Sequence, residues 1–326
     1  MAGSDELYDL VIIGGGPGGL SAAIYAMRAA LKTALVEKGV TGGQVTMSDE
    51  VENYPGFVHI SGAELSMKFT QHAQSYDLDM ISQEVTALDP GLDHHTVRLA
   101  NGDTLKTHAV ILATGGSPRK LDVIGERELY GKGVSYCATC DGFFFRGKTV
   151  VVIGGGDSAA EEALYLAKLC KKVYIAHRRD ELRASKILQQ RIFNDCNIEM
   201  LWNTVVTEIK AGADGVEQVG LKDTVTADTR ELDVDGVFIF IGFNPNNELV
   251  PAGTRMNADG MVVTDEKCET RTPGIYVIGD LREKFARQIV LSAADGCTAA
   301  LAAAHYVEAK TSMLADTCEL PPDAAS

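Results

Sequence analysis

An α/β fold with two Rossmann-like dinucleotide-binding domains is what this sequence predicts, and three observations carry the prediction. The chain has 326 residues, enough for about two domains of ordinary size. A segment near the N-terminus recurs without a gap 140 residues later. Each copy sets a glycine cluster between a short apolar run and a helix-forming stretch. A period that long marks two similar domains rather than a solenoid.

The elements follow in order. Residues 10–37, LVIIGGGPGGLSAAIYAMRAALKTALVE, align with residues 150–177, VVVIGGGDSAAEEALYLAKLCKKVYIAH. Gly14, Gly15 and Gly16 fall on Gly154, Gly155 and Gly156, Tyr25 falls on Tyr165, and Glu37 falls on His177. The apolar runs Leu10–Ile13 and Val150–Ile153 read as buried parallel strands. Helices are expected over Leu20–Ala30 and Ala159–Cys170, then second strands over Thr33–Val36 and Val173–Ala176. Strand, helix and parallel strand make the unit of a doubly wound sheet. Further strands are expected at Ala109–Ala113, Gly236–Ile241 and Ile275–Ile278. Asn101-Gly102-Asp103 reads as a hairpin turn between Thr96–Leu99 and Thr104–Lys106, and Ala211–Glu217 as a loop between strands. A last helix should start near Arg287 and run to about Glu308, with a mobile tail after it.

Composition removes several classes. Hydrophobic residues at 45% and charged residues at 23% exclude wholesale disorder, and the 33 Gly have no three-residue period, which excludes collagen. Asp+Glu at 45 against Lys+Arg at 30 gives a net charge of −15 without any basic stripe, so no nucleic-acid partner is expected. Seven Cys is an odd and sparse count, unlike a secreted disulfide scaffold. The start, MAGSDELYDL, lacks the basic region of a signal peptide. Leu10–Met27 is uncharged for 18 residues, yet five Gly and a Pro crowd positions 14–19, so it reads as strand, turn and helix rather than a membrane span. A cytoplasmic chain with no membrane contact is expected.

The two glycine loops differ in what they should bind. In Gly14-x-Gly16-x-x-Gly19 the first Gly permits a tight turn, the second lets backbone approach a pyrophosphate, and the third lets helix and strand pack. The helix N-terminus then offers unpaired N–H groups and a positive dipole end to the phosphates. Glu37, 18 residues past Gly19, can accept hydrogen bonds from a ribose 2′-OH and would repel a 2′-phosphate, so this loop suits FAD or NAD. In Gly154-x-Gly156-x-x-Ala159 the acid is replaced by His177, followed by Arg178, Arg179 and, one turn on, Arg183. Guanidinium groups at that place suit the 2′-phosphate of NADPH. A dinucleotide that takes two electrons from NADPH without being consumed is a flavin, which makes the first ligand FAD. Thr114, in the turn Ala113-Thr114-Gly115, lies where chain can pass close to that cofactor. Gly279-Asp280 ends a strand where ligands bind, and Asp280 is suited to the ribityl chain. The helix opening near Arg287-Gln288 can aim its N-terminus at the flavin pyrimidine ring.

Cys137-Ala138-Thr139-Cys140 admits three readings. A zinc half-site needs a second ligand pair, and no second CxxC or HxxxH occurs, so no metal is expected. Two unconnected core cysteines would be the bland reading. A redox dithiol that closes a short disulfide loop is the third, and Asp141 beside it could supply a proton to a leaving thiolate. Cys170, Cys196, Cys268, Cys297 and Cys318 stand alone and read as buried small hydrophobes.

From about Asp9 to Tyr306 the chain resembles the low-molecular-weight bacterial thioredoxin reductases. The resemblance is carried by GGGPGGLSAAIYAMRA, GGQVTMSDEVENYPGF, ATGGSPRKL, CATCDGFFFRGK, GGGDSAAEEALYLA, HRRDELRASKIL, IGFNPN and GD…RQI…SAADGCTAAL. The CATCD segment beside an HRR element is specific to that group. The resemblance implies an FAD domain of residues 1–116 and 245–312, an NADPH domain of residues 117–244 inserted in it, and a tail of residues 313–326. It implies FAD contacts at Gly14, Gly16, Glu37, Gln44, Asn53, Asp280, Arg287 and Gln288, and NADPH contacts at Gly156, Ser158, His177, Arg178, Arg179 and Arg183. It also implies Cys140 as the sulfur facing the flavin, Cys137 as the sulfur that attacks the disulfide of thioredoxin, Asp141 as the acid–base, and a homodimer whose domains rotate during turnover. Segment 281–286, Leu-Arg-Glu-Lys-Phe-Ala, carries more charge than the neighbourhood of a flavin leads one to expect.

Overall fold

The computed structural model describes residues 7–48 and 50–318, with side chains to Ser312. The chain divides into two compact units, Met1–Ser117 with Asn244–Ser326, and Pro118–Phe243. The elements used below are, in chain order, β1 (Leu7–Ile13), α1 (Pro17–Arg28), β2 (Thr33–Glu37), α2 (Gly62–Gln74), β3 (Asp79–Ser82), β4 (Val85–Asp89), β5 (His95–Leu99) and β6 (Thr104–Leu112). Then come β7 (Val134–Ser135), α3 (Ala138–Asp141), β8 (Thr149–Gly154), α4 (Asp157–Ala167), β9 (Lys172–Ala176), α5 (Lys186–Asn194) and β10 (Ile198–Leu201). The rest are β11 (Thr204–Ala211), β12 (Val216–Asp223), β13 (Thr229–Asp233), β14 (Gly236–Phe240), β15 (Ile275–Val277) and α6 (Ile289–Cys318).

In the first unit the sheet runs β3-β2-β1-β6-β5-β4, and β15 pairs with the far part of β6. β1 is parallel to both β2 and β6, as a doubly wound sheet requires. Residues of β1 alternate between two cores. Leu10 and Ile12 pack with Leu20 of α1 and Ala299, Ala300 and Ala303 of α6, whereas Val11 and Ile13 pack with Val36, Val110 and Val277. Burial on both faces explains why the strand is apolar throughout rather than alternating. Pro17 opens α1 at a position where its missing N–H costs nothing, and Ser61 caps α2 by accepting from the Glu64 N–H at 3.1 Å.

The second unit repeats the design with a sheet of order β10-β9-β8-β14-β7, every strand pair of that sheet parallel. Leu10 faces Thr33 in the first unit and Val150 faces Val173 in the second, so the 140-residue offset holds in the strand register too. Val150 and Val152 pack against Ala159, Ala163 and Leu166 of α4. Val151 and Ile153 pack against Ile209, Val219 and Leu221, which belong to an antiparallel sheet β11-β12-β13.

Some expectations need correction. Thr104–Lys106 and Ala109–Ala113 are one strand, β6, because His95–Arg98 pairs along its first half and β1 and β15 along the rest. The last helix does not stop near Glu308; it runs to Cys318, so the expected tail from 313 begins as helix, and its residues 319–326 lie outside the described residues. Among the lone cysteines Cys170 and Cys268 are buried, but Cys297 is half-buried and Cys196 is exposed, since it sits in the turn after α5; the side chain of Cys318 lies outside the described residues. Among the described residues no helix is long and apolar enough to cross a membrane.

Candidate active site

The first glycine loop leaves the end of β1. Gly14 has φ +110°, and a Cβ there would lie 2.4 Å from the Ala113 carbonyl oxygen, so only glycine lets the turn pass β6. A Cβ at Gly19 would lie 1.9 Å from the Gly14 carbonyl oxygen, which is the close helix–strand contact the third glycine permits. Around a Cβ built at Gly16 there is open space, and no side chain caps α1 there. The loop therefore forms an open cradle at a helix N-terminus, suited to a pyrophosphate. Glu37 ends β2, where its carboxylate accepts from the Gly15 N–H at 2.7 Å and the Gly39 N–H at 2.8 Å. A carboxylate has about four acceptor positions, so it retains capacity for ribose hydroxyls.

The other expected contacts of this unit sit on neighbouring segments. Gln44 donates to the Gly116 carbonyl at 3.2 Å, and Asn53 donates to the Gln288 side-chain oxygen at 3.4 Å. Thr114 donates its hydroxyl to the Asn246 carbonyl at 2.7 Å, and the Asn246 side chain returns a bond to the Thr114 carbonyl at 2.8 Å. The Gln288 carbonyl accepts the first helical N–H of α6, from Ser292, at 3.0 Å, with exposed Arg287 just before it. Burial holds the Asp280 carboxyl above its ordinary value, against the opposing pull of Lys284 and Arg287. The Gly279 N–H donates to Asp295 at 3.1 Å.

Asp295 also explains the charged run 281–286. Arg282 meets Asp295 at 3.1 Å and Lys284 meets it at 2.9 Å, with the Lys284 side chain 8% exposed. Arg282 and Lys284 turn inward and fasten the Gly279–Asp280 turn to α6, while Glu283 between them is exposed. Sequence reasoning missed Asp295; the SAADG segment was the signal for it.

The second glycine loop has the same shape. A Cβ at Gly154 would lie 2.5 Å from the Phe240 carbonyl oxygen, Gly156 opens on free space, and α4 likewise has no side-chain cap. The arginine segment is sewn to this loop. The Gly155 carbonyl accepts from the N–H groups of Arg183 at 2.8 Å and Ala184 at 3.1 Å, and Asp157 accepts from the Ser185 N–H at 2.6 Å. Arg178, Arg179, Arg183 and Ser158 are exposed. His177 is buried, its Nδ1 lies 2.9 Å from the Gly154 carbonyl oxygen, and burial chiefly, with help from Arg179 and Arg183, lowers its pKa. It is a neutral imidazole forming the wall of the turn. Positive charge for a phosphate comes from the arginines.

Cys137 and Cys140 are joined in a disulfide, which fits a redox dithiol and not two zinc ligands. Cys137 caps α3, and its Sγ accepts from the Cys140 N–H at 3.2 Å, with the Thr139 hydroxyl 3.5 Å away. An N–H aimed at that sulfur stabilises negative charge on it. Cys137 is half-buried and Cys140 exposed. Asp141 ends α3, where it accepts from the Ser135 hydroxyl at 2.5 Å. Behind the pair, Glu162 of α4 takes hydrogen bonds from the backbone of Thr139 and Ala138, while burial, chiefly, raises its pKa. Ser135, Asp157 and Glu162 were not singled out from the sequence.

Known proteins bear on this geometry. Residues 8–312 match the family model described as pyridine nucleotide-disulphide oxidoreductase. A thioredoxin reductase of Bacillus subtilis (strain 168) is 45% identical over 93% of this chain and 96% of its own length. One of Helicobacter pylori (strain J99) is 42% identical over 93% of this chain and 99% of its own. The crystal structure of thioredoxin reductase from Streptococcus pyogenes superposes with a TM-score of 0.90 at 41% identity, covering 94% of this chain and all of that one. With its two glycine cradles, its disulfide and a match across nearly its whole length, this chain belongs to the pyridine nucleotide-disulphide oxidoreductase family.

Proposed function

We propose that this protein is an NADPH-dependent, FAD-containing disulfide oxidoreductase that reduces thioredoxin. The observation that carries the proposal is the Cys137–Cys140 disulfide, with exposed Cys140, in the same unit as a glycine cradle edged by Arg178, Arg179 and Arg183. FAD would be held in the discontinuous unit by Gly14, Gly16, Gly19, Glu37, Gln44, Asn53, Thr114, Gly279, Asp280, Arg287 and Gln288, and NADPH in the inserted unit by Gly154, Gly156, Ser158, His177 and the three arginines. When bound, FAD supplies the two-electron relay between NADPH and the disulfide.

The remaining chemistry belongs to the chain. In the reduced pair the Cys137 sulfur attacks one sulfur of the thioredoxin disulfide, forming a mixed disulfide, and the other thioredoxin sulfur leaves as a thiolate. Asp141, next in sequence to Cys140, would carry the proton which that thiolate takes up. Cys140 then attacks the Cys137 sulfur, which re-forms the Cys137–Cys140 disulfide and releases the second thioredoxin sulfur. The Cys140 N–H steadies the charge on the Cys137 sulfur at the start of this sequence. Homodimer formation and a cytoplasmic location complete the proposal; Val290, Leu291 and Leu301 of α6 are exposed apolar residues of the kind a second copy would cover.

A coupled assay of NADPH oxidation with a panel of thioredoxin disulfides tests the reading. Turnover is expected with at least one thioredoxin and its loss in Cys140→Ser. Thioredoxin reduction that survives in Cys140→Ser would remove the dithiol from the mechanism.

A further inference from the structure

The geometry points to Ser135 as a positioning residue that holds Asp141 and Cys137 in one hydrogen-bonded frame. This rests on the reductase reading above. Ser135 ends β7 and is 2% exposed, and its strand pairs in parallel with β14, where it faces the fully buried Phe238. The hydroxyl is thus anchored to a sheet and not to the loop that carries the chemistry. The Cys137 N–H donates to Ser135 Oγ at 3.0 Å. The single hydroxyl proton has two acceptors in reach, Asp141 Oδ2 at 2.5 Å and the Cys137 carbonyl at 3.2 Å. The charge-assisted, shorter bond to the carboxylate wins. The Asp141 N–H returns a bond to the Cys137 carbonyl at 3.1 Å and closes the frame.

Two consequences follow for the proton step. A donor on the carboxylate favours its charged form, so Ser135 contributes to holding Asp141 in that form. Cys137 shares the same hydroxyl through its backbone, so opening of the disulfide leaves the acid and the attacking residue in fixed relation.

The test uses the full-length, FAD-loaded protein and the variants Ser135→Ala, Ser135→Thr, Asp141→Asn and the double variant Ser135→Ala/Asp141→Asn. Loss of a hydrogen bond to a charged group should slow thioredoxin turnover about tenfold to a hundredfold in Ser135→Ala. The limb of the pH–rate profile that reports the acid–base should move to higher pH in Ser135→Ala, and Ser135→Thr, which keeps the hydroxyl, should restore it. In the Asp141→Asn background, adding Ser135→Ala should slow turnover by a clearly smaller factor than in the wild-type background, since the share of its effect that passes through the carboxylate is already gone and only the share through the Cys137 N–H remains. Equal slowing in both backgrounds, or an unmoved profile in Ser135→Ala, would overturn the proposal in favour of a merely structural serine. Failure of the reductase reading looks different: the wild-type protein itself would not reduce thioredoxin. Iodoacetamide labelling of the dithiothreitol-reduced pair against pH would then still report on Ser135, with a profile unchanged in Ser135→Ala counting against it.

Discussion

Removing the arginines beside the second cradle should change the choice of nicotinamide coenzyme and little else. Arg178 and Arg179 lie one residue beyond β9, exposed, while His177 between them and the strand is buried and has its pKa lowered. The double variant Arg178→Ala/Arg179→Ala therefore deletes two of the three guanidinium groups proposed to meet a 2′-phosphate and leaves the turn itself intact. A charge-assisted hydrogen bond is worth about 1.5–3 kcal/mol, and exposure to solvent puts each arginine at or below the lower end. Two such contacts sum to about 2–3 kcal/mol, a rise of about 30-fold to 150-fold in the NADPH KM. NADH lacks the phosphate, so its KM should stay within about twofold. Steady-state kinetics at saturating thioredoxin with each coenzyme measure both. If the two KM values rose by the same factor, the arginines would be holding the fold of the loop and not a phosphate.

Three further outcomes are expected. Gly155→Ala would place a Cβ 2.2 Å from the His177 ring, and overpacking of that kind costs about 1–3 kcal/mol, so calorimetry should find a lower melting temperature and a weaker grip on NADPH. Asp295→Asn leaves Lys284, 8% exposed, without its full counter-charge; breaking a buried pair costs about 3 kcal/mol, and denaturant titration with a flavin-retention assay should register both the instability and loosened FAD. His95, 1% exposed, has its pKa lowered from 6.5 to about 4, by burial first and then by Lys310. The unfolded chain binds the proton more readily, so stability is complete above about pH 6.5 and falls as the pH drops toward about 4, by about 3 kcal/mol in all. Denaturant titrations at pH 7.5 and 4.5 should differ less in His95→Gln than in wild type.

The parts of the fold written in local pattern were legible. Both glycine loops announce themselves by strand, turn and helix, and the offset that aligns Leu10 with Val150 also predicts equal registers in the two sheets. Helix ends were less legible. α1 stops at Arg28 because the backbone turns left-handed at Ala30, φ 58°, a conformation its residue type does not advertise. α6 overran its expected end because no Gly or Pro occurs between Gly296 and Pro321. Of the sheet β11-β12-β13 only the connection near Ala211–Glu217 was read, as a loop between strands, and the sheet itself was not: its strands hold their place by covering Val151 and Ile153, a contact that only tertiary structure reveals. The same holds at the site. The cysteines, the glycines and the arginines carry signature spacing, whereas Ser135, Glu162, Asp157 and Asp295 are common residues whose roles come from what they touch across the fold.

The reciprocal bonds between Thr114 and Asn246 have a bearing on how such a protein could arise and be re-engineered. They fasten together the points where the chain departs from the first unit and where it comes back, so the host closes like a purse whatever lies beyond its drawstring. Grafting a foreign module at that doorway, or bridging it with a few glycines, asks little rearrangement of the surrounding sheet, because the ends to be spliced already touch.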